Sequence, residues 1–498
     1  MLILQYFRMD CVFEWTVFFD STDPVKIKPA FDLLFAERDT VPHTYCRLRW
    51  EQYGSAEDRK KSEAQVMKRR SFLKTSAVGA AVAAGAASDG RAEASAANKV
   101  TLAVMGVRGR GRNLINYFGQ MPDVDLAYLC DVDRNVVEPA MKIAEEGQGK
   151  RPRFEEDIRR VLDDPAVDAI VVSTPIHWHA PATILACEAG KDVYVEKPIS
   201  HNVREGRLMV NAAKKHNRIV QVGTQARSRP NTIQFVDAIH SGRIGEVHMA
   251  KVWNCQMRRN IGFKQDEPVP AGINYDLWTG PVPKLPFNRN RYNATVNWQW
   301  HYGAGDLGND GIHWVDVARW VLGVDYPTEV SGMGRKLYFD DDQQTPDTQV
   351  LTFNYEDKVL MYEQRLWNTY RMNGGQNGVE VYGTEGKAYV QFFDDLYQYG
   401  YKIFDKKGRE IQSELAGNRD NNPHYGNFID CVRTRKTPNA DIETGHISTA
   451  LCHLGNTASR LNRTLRFDPA SESFVDDQEA DGYLTREYRQ HWSSQPFV

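Results

Sequence analysis

The sequence predicts an α/β protein whose first folded domain is built on a doubly wound parallel sheet. Strand-like and helix-like segments alternate from residue 99 to residue 222, and such alternation is typical of parallel βαβ units. The first strand, Val100–Met105, is a continuous apolar run, as expected where helices cover both faces of a sheet. A glycine-rich turn follows this strand directly and leads into a helix.

The other elements of the first domain follow in the same order. We expect strands at residues 125–130, 168–173, 193–195 and 219–222, and helices at residues 113–121, 135–146, 180–189 and 203–216. Beyond residue 224, apolar alternation predicts strands at 247–253, 329–332, 348–355, 358–364, 378–382 and 386–391. Helices are expected at 427–433 and 444–462, and a polar tail runs from 468 to 498.

Composition excludes several classes of protein. The chain has 498 residues, is 41% hydrophobic and carries a formal charge of -3, which gives no electrostatic reason to expect nucleic acid or anionic membrane as a partner. Seven cysteines are scattered without a CxxC or Cys/His cluster, so we expect no metal site and no disulfide scaffold. No stretch is long and apolar enough for a convincing transmembrane helix.

The first 97 residues differ from the rest. A basic segment at 67–74 precedes an Ala/Gly-rich stretch and small residues near Ala94, which predicts a signal peptide over 67–97. Its Arg69-Arg70 pair, followed by Ser-Phe-Leu-Lys, resembles the twin-arginine export motif. We therefore expect translation to start at Met67, residues 1–66 to be a non-native extension without a stable fold, and the mature protein to be periplasmic. It should have no membrane anchor after cleavage, and a cytoplasmic location is the alternative.

The turn after the first strand has the composition of a phosphate-binding loop. It carries Gly106, Arg108, Gly109, Arg110 and Gly111. Backbone N–H groups and a helix N-terminus in such a turn can face a pyrophosphate, although Arg108 occupies the place of the usual middle glycine. Asp131 ends the second strand, where it would bond a ribose hydroxyl and repel a 2′-phosphate. The sequence predicts binding of NAD, with NADP possible because Arg134 lies close to Asp131.

The motif Glu196-Lys197-Pro198 ends another strand. It delivers a cation to the edge of the sheet where α/β proteins bind ligands, and the proline holds Lys197 in an extended conformation. By itself this tripeptide is also compatible with a solvated strand end.

Four motifs together resemble the Gfo/Idh/MocA oxidoreductase family, in its exported branch. They are the glycine turn, the segment from Thr174-Pro175 to His179, Glu196-Lys197-Pro198, and residues 303–316; the similarity covers about residues 99–466. The resemblance implies a Rossmann dinucleotide-binding domain over 98–223. It also implies a substrate-binding and oligomerisation domain over 224–467, with a large, mostly antiparallel open sheet through which the protein forms a homo-oligomer.

In this family a lysine and a histidine flank the substrate carbinol. The resemblance therefore assigns Lys197 to polarise the oxygen and His313 to act as general base or acid. The family's usual aspartate four residues before the histidine is Asn309 here, which cannot take a proton. Asp310, expected on a different helix face, and Asp306 are candidate substitutes. The residues expected to bind the cofactor are Gly106, Arg108, Gly109, Arg110, Gly111, Asp131, Thr174, Pro175, His177, His179, Glu196 and Lys197.

The leading functional hypothesis is an NAD(P)-dependent oxidoreductase acting on a sugar, polyol or glycoside, with tightly bound cofactor. A redox-neutral enzyme that uses bound NAD transiently to cleave or epimerise a glycoside is the first alternative. A non-catalytic sugar-binding protein of the same fold is the second. One or two aromatic residues among Trp253, Trp278, Trp298, Trp300, Tyr302 and Trp314 are expected to touch substrate. Three arginines are candidates for reading its hydroxyl or carboxylate groups: Arg227, Arg258 and Arg259.

Overall fold

The computed structural model describes residues 2–8, 11–17, 46–50, 99–416 and 420–489. Within residues 2–50 it contains a three-stranded antiparallel sheet, β1 (Leu2–Arg8), β2 (Cys11–Val17) and β3 (Cys46–Trp50), in the order β2-β1-β3. This sheet was not predicted. The signal segment and the other residues of 1–66 lie outside the described residues, so the interpretation of 1–97 stays a prediction.

Residues 99–222 form the predicted parallel sheet. Its six strands lie in the order β6-β5-β4-β7-β8-β9, and every neighbouring pair is parallel. The strands are β4 (Val100–Met105), β5 (Val124–Cys130), β6 (Arg153–Glu155), β7 (Ala169–Val172), β8 (Asp192–Val195) and β9 (Val220–Val222). The helices are α1 (Gly109–Gly119), α2 (Val137–Gln148), α3 (Ile158–Leu162), α4 (His179–Glu188) and α5 (Val203–Lys215).

Both faces of this sheet are buried, which explains its continuous apolar strands. On β4, Leu102 and Val104 belong to a core with Phe118 of α1, whereas Ala103 belongs to the opposite core with Ile184 of α4. Because successive side chains of a strand point to opposite faces, each face needs its own helix layer. The prediction of a doubly wound sheet is confirmed.

The second half of the chain forms a ten-stranded sheet in which only β10 and β13 are parallel neighbours. Its order is β17-β16-β15-β14-β10-β13-β12-β11-β18-β19. The strands are β10 (Val247–Asn254), β11 (Glu329–Arg335), β12 (Thr348–Asn354), β13 (Val359–Arg365), β14 (Asn377–Gly383), β15 (Gly386–Phe393), β16 (Gln398–Asp405), β17 (Glu410–Ala416), β18 (Leu465–Asp468) and β19 (Ser473–Phe474). The predicted large, mostly antiparallel sheet is confirmed.

Helices cover one face of the large sheet. Leu351 and Phe353 of β12 pack in one core with Val315 of α8 and Leu451 of α10, whereas Val350 between them is 43% exposed on the other face. The helices of this half are α6 (Pro230–His240), α7 (Tyr275–Thr279), α8 (Ile312–Leu322), α9 (Asn422–Thr434), α10 (Ile442–Leu461) and α11 (Gln478–Asp481). A π-helical turn, Leu307–Gly311, leads into α8.

Two differences from the predicted elements bear on the site. Helix α1 begins at Gly109 and not at residue 113, because the glycines of the turn already form its first turn. Strands β6, β16, β17, β18 and β19 were not predicted. Among the helices of the described ranges, none has the length and apolar character needed to cross a membrane.

Candidate functional site

The candidate site lies at the carboxyl edge of the parallel sheet. Gly106, Asp131, Thr174 and Glu196 follow β4, β5, β7 and β8, and all four line cavities at this edge. One cavity, of about 560 Å³, is called here the dinucleotide cavity and contains Gly106 and Asp131. The other, of about 440 Å³, is called the reaction cavity and contains Glu196. The two adjoin because both are lined by Arg110, Ser173, Thr174, Pro175 and Asn297.

The glycine turn is shaped for a close ligand. Gly106 has φ of +87°, which L side chains rarely adopt, and a Cβ there would lie 2.8 Å from the carbonyl carbon of Ser173. A Cβ on Gly111 would overlap the carbonyl oxygen of Gly106. Gly109 has open space where a Cβ would be, and no side chain caps the N-terminus of α1. The free N–H groups of this helix end therefore face room for a phosphate.

The acidic residues after β5 have different roles. The Asp131 carboxylate lines the dinucleotide cavity and accepts from the backbone N–H groups of Val107 at 2.8 Å and Asp133 at 2.9 Å. Burial raises its pKa, and these two hydrogen bonds oppose that effect. Asp133 is buried and pairs with Arg108, which fixes the arginine beside the cavity. Asp131 thus keeps its place at the cavity wall with lone pairs left for a ligand.

Arg110 spans the two cavities. Its Nε donates to Glu196 Oε1 at 2.7 Å, and its Nη2 donates to the Tyr425 hydroxyl at 2.8 Å. Burial would raise the pKa of Glu196, but the charges of Arg110 and Lys197 outweigh it and the pKa is lowered. Glu196 is therefore an ionised anchor for Arg110.

Lys197 is held at the reaction cavity by the π-helical turn before α8. Its Nζ donates to the backbone oxygen of Asn309 at 2.6 Å and to Asn309 Oδ1 at 3.3 Å. Asn309 Nδ2 in turn donates to Asp306 Oδ1 at 3.0 Å. An ammonium group has three donors, so one remains for a ligand. The amide of Asn309 suits this place because it accepts from one neighbour and donates to the other, which a carboxylate cannot do.

The π-helical turn brings Asp310 to the same cavity as Asn309, which differs from the prediction. Regular α-helical spacing predicted Asp310 on a different helix face from Asn309, although both were candidate catalytic residues. In the structure both residues line the reaction cavity together with His313. A π turn inserts extra residues per turn, so consecutive side chains can face the same cavity.

His313 is half-buried in the reaction cavity and has no hydrogen-bond partner among the described residues. Burial and the charge of Lys197 hold its pKa well below 6.5, whereas the Asp310 carboxylate opposes this shift. Asp310 accepts from Arg258 and, at 3.0 Å, from Gln256 Nε2. Burial would raise the pKa of Asp310, but Arg258 and Lys197 lower it. His313 is thus neutral at neutral pH, and its ring is free to contact a ligand.

The low pKa of His313 and the charge of Asp310 predict how kcat depends on pH. The predicted role of His313 as a general base requires the neutral ring, so the acidic limb of kcat should lie below pH 6.5, the usual histidine value. Asp310→Asn removes the charge that raises the pKa of His313, and should move this limb to still lower pH. Steady-state rates of both proteins across acidic pH measure the shift. Glu356→Gln, a change at an exposed carboxylate, is the control, and an upward shift in Asp310→Asn would contradict the assignment.

The two histidines after Thr174-Pro175 differ in position. His179 lines the reaction cavity, where its ring nitrogens lie 2.7 Å from the Pro198 carbonyl oxygen and 2.8 Å from that of Thr174. His177, predicted beside the cofactor, lines neither cavity, because its Nε2 lies 2.8 Å from the Trp278 carbonyl oxygen in the protein interior. Gly111 also lines neither cavity and acts through the close contact of α1 with the turn.

The six aromatic candidates, of which one or two were expected to touch substrate, differ in their position relative to the reaction cavity. Only Trp314 of the six lines it; Trp278 lines the dinucleotide cavity, and Trp253 is fully buried in the core. Arg227 is buried in an ion pair with Asp316 and lines neither cavity.

Several residues that line the reaction cavity were not predicted at all: Gln225, Arg229, Gln256, Asn297, Asn377 and Asn421. Arg229 could have been predicted, because it follows the last parallel strand and so lies near the carboxyl edge of the sheet. No feature of the sequence predicts Asn377 or Asn421 at the site.

The residues present fit a nicotinamide dinucleotide. The uncapped helix end, the glycine positions without room for Cβ, and Asp131 are the features such a ligand requires. In addition, the hydroxyl oxygen of Thr174 is buried without a partner at the junction of the two cavities. An orphaned buried hydroxyl is costly, and a bound ligand would satisfy it.

Comparison with known proteins identifies the class. Residues 100–224 match the sequence profile "Oxidoreductase family, NAD-binding Rossmann fold", and residues 252–494 match "Oxidoreductase family, C-terminal alpha/beta domain", both of Gfo/Idh/MocA. The fold and the site thus define an NAD-binding oxidoreductase. The chain belongs to the Gfo/Idh/MocA family.

Individual relatives are distant. The chain is 27% identical to scyllo-inositol 2-dehydrogenase (NAD(+)) of Bacillus subtilis (strain 168), over 57% of this chain and 73% of that one. It is 24% identical to a glycosyl hydrolase family 109 protein of Shewanella pealeana, over 30% of this chain and only 33% of that one. The crystal structure of the WlbA dehydrogenase from Bordetella pertussis, in complex with NADH and UDP-GlcNAcA, shares the fold. Its TM-score is 0.54 at 23% identity, covering 74% of this chain and 99% of that one.

Proposed function

We propose that the protein oxidises, or in reverse reduces, a carbinol carbon of a sugar, polyol or glycoside. The main observation behind this proposal is that Lys197 and His313 line the same cavity, and that this cavity adjoins the dinucleotide cavity. When bound, the nicotinamide dinucleotide would supply a hydride acceptor or donor.

We assign a separate role to each polar side chain of the reaction cavity. Lys197 uses its free N–H to hold the carbinol oxygen, and its other two donors are fixed by Asn309. His313 takes the hydroxyl proton, because its depressed pKa keeps the ring neutral. Asp310 faces the same cavity and stabilises the imidazolium that forms. Asn309 is a positioning residue here, so the family's usual aspartate is not required for this scheme.

A redox-neutral reaction is the second candidate. The similarity to a glycosyl hydrolase family 109 protein favours it, although the match covers a third of that protein. Such an enzyme would oxidise the sugar, cleave or epimerise it, and reduce it again with the same cofactor molecule. The residues assigned above serve both reactions, so the two are distinguished by whether net NADH accumulates.

We further propose export and retention of the cofactor, on the basis of the signal-like segment at 67–97. An exported enzyme would have to carry its dinucleotide along. To test this together with the activity, protein starting near Ala97 is precipitated with acid and the supernatant is assayed for NAD(P). A second sample is mixed with a panel of polyols and aldoses while absorbance follows dinucleotide reduction.

Bound dinucleotide that is reduced by at least one carbinol supports the proposal. Cofactor-free protein that works only with NAD from solution would overturn retention and favour a cytoplasmic dehydrogenase. Bound dinucleotide that no carbinol reduces would leave the redox-neutral enzyme and the non-catalytic sugar-binding protein, and an assay for cleaved or epimerised glycoside separates these two.

Cofactor preference gives a separate prediction. Asp131 should make NAD the better ligand, because its carboxylate would repel a 2′-phosphate. Asp131→Asn keeps the size of the side chain and should reduce the NAD preference by about tenfold, or about 1.4 kcal/mol. Calorimetric affinities for NAD and NADP measure this, with Asp125→Asn, on the strand that precedes Asp131, as the control. Equal affinities in the unchanged protein would contradict it.

The open face of the large sheet suits a homo-oligomer. Met333 and Val350 are register partners on β11 and β12, and both are exposed there, at 39% and 43%. Exposed apolar side chains on a flat sheet are a common basis for subunit contact.

A further inference from the structure

We infer that the substrate of the reaction cavity carries a carboxylate, and that Arg229 binds it. This inference rests on the proposed function and adds the chemical class of the substrate. It arises from a cation in the cavity that no carboxylate of the described residues balances.

Arg229 stands at the N-terminus of α6 and lines the reaction cavity. Of its guanidinium nitrogens, Nη2 donates to Asn421 Oδ1 at 2.8 Å, and Nε is buried without a partner. The guanidinium lies over the Tyr399 ring, 4.9 Å from its centroid. No described Asp or Glu lies within ion-pair distance of it. The neutral amide of Asn421 and the ring of Tyr399 thus hold the guanidinium in place without neutralising its positive charge.

The two other arginines of this region are ion-paired. Arg110 pairs with Glu196 at 2.7 Å, and one arginine, Arg258, pairs with both Asp306 and Asp310. The Asp310 carboxylate is also within the field of Lys197, whose charge lowers its pKa. Four cations therefore meet three carboxylates in and behind this cavity, and neither Lys197 nor Arg229 has an ion pair among the described residues. Because Asn309 fixes Lys197 where the carbinol is assigned, Arg229 is the cation that remains for an anionic group of the substrate.

A partly buried, unpaired cation costs free energy in the empty protein, and an anionic ligand recovers it. Guanidinium is the side chain best matched to a carboxylate, because parallel N–H donors meet its two oxygens. The charge of Arg229 also reaches His313, whose pKa it helps to lower. A substrate held by His313 and Lys197 at its carbinol can therefore present a carboxylate to Arg229 within one cavity.

The dinucleotide phosphates are a less suitable partner for Arg229. The glycine turn and the N-terminus of α1 border the dinucleotide cavity, whereas Arg229 lines only the reaction cavity. Asn377, Gln256 and Asn421 line the reaction cavity beside it and can bond hydroxyl groups. A uronic acid or another sugar acid combines these hydroxyls with the carboxylate.

The test compares matched pairs of ligands: the methyl glycosides of glucuronic, galacturonic and mannuronic acids against those of glucose, galactose and mannose. Calorimetry with dinucleotide-loaded protein gives the affinities. We expect at least one acid to bind about 10–100-fold more tightly than its neutral partner, the range for a charge-assisted hydrogen bond. Arg229→Gln should abolish this difference.

Arg259→Gln is the matched control, since Arg259 is exposed and lines neither cavity. Thermal unfolding of both variants establishes that they fold. If no acid binds more tightly than its neutral partner, or if Arg229→Gln keeps the preference, the inference is overturned. Reduction of bound dinucleotide by neutral glycosides in that case would leave the proposed oxidoreductase function standing. Absence of any reduction by acid or neutral ligands would instead count against that function, whatever the affinities.

Discussion

Lys197→Ala and His313→Ala are each expected to lower kcat by about two to four orders of magnitude, the range for loss of a group that moves or holds a proton. Lys197 has a single donor left for the substrate, and His313 has a free ring in the same cavity. Cofactor affinity should survive both changes, because neither residue lines the dinucleotide cavity. Single-turnover rates and dinucleotide affinity, measured on the same samples, separate the two effects.

Lys215→Ala, at an exposed lysine of α5, is the control for loss of charge. If either site variant keeps a near-normal rate, the role assigned to that residue is wrong.

Asn309→Asp is a third variant to measure in the same assays. It places a carboxylate against Asp306, which now accepts a hydrogen bond from the asparagine amide at 3.0 Å. We expect this variant to be less stable and no faster.

Gly111→Ala should be the most damaging of the small changes in the glycine turn. Its Cβ would overlap the carbonyl oxygen of Gly106, and backbone atoms cannot move aside as a flexible side chain can. We expect a loss of about 2–3 kcal/mol in unfolding free energy, near the upper end for point substitutions, together with weaker NAD binding. Gly109→Ala is the matched control, because a Cβ there meets nothing within 4 Å. Thermal and denaturant unfolding of both variants without cofactor measure the difference, and equal stabilities would contradict the close-packing argument.

Much of the fold could be predicted because its signals are local. The strands of the parallel sheet are apolar runs and the turn after β4 is rich in glycine, so the doubly wound sheet and its ligand edge follow from pattern alone. Strand β16, Gln398–Asp405, was not predicted although Tyr399, Tyr401 and Ile403 alternate with Gly400 and Lys402. Strand β6 was missed because three residues give no period.

The site was harder to predict where it depends on distant contacts. A π turn cannot be read from a 3.6-residue period, so Asp310 was expected on another face from Asn309. His177 and His179 have similar sequence surroundings, and only tertiary packing places one at the cavity and the other in the interior. Arg229 depends on Asn421, 192 residues away, for its orientation.

The central claim is that a substrate carbon beside Lys197 and His313 loses a hydride to the bound dinucleotide. The most direct measurement uses a substrate deuterated at the carbinol carbon, a single turnover quenched with acid, and mass spectrometry of the released dinucleotide. We expect deuterium on the nicotinamide ring in the unchanged protein, and its loss in both Lys197→Ala and His313→Ala. Formation of product with an unlabelled dinucleotide would contradict the account.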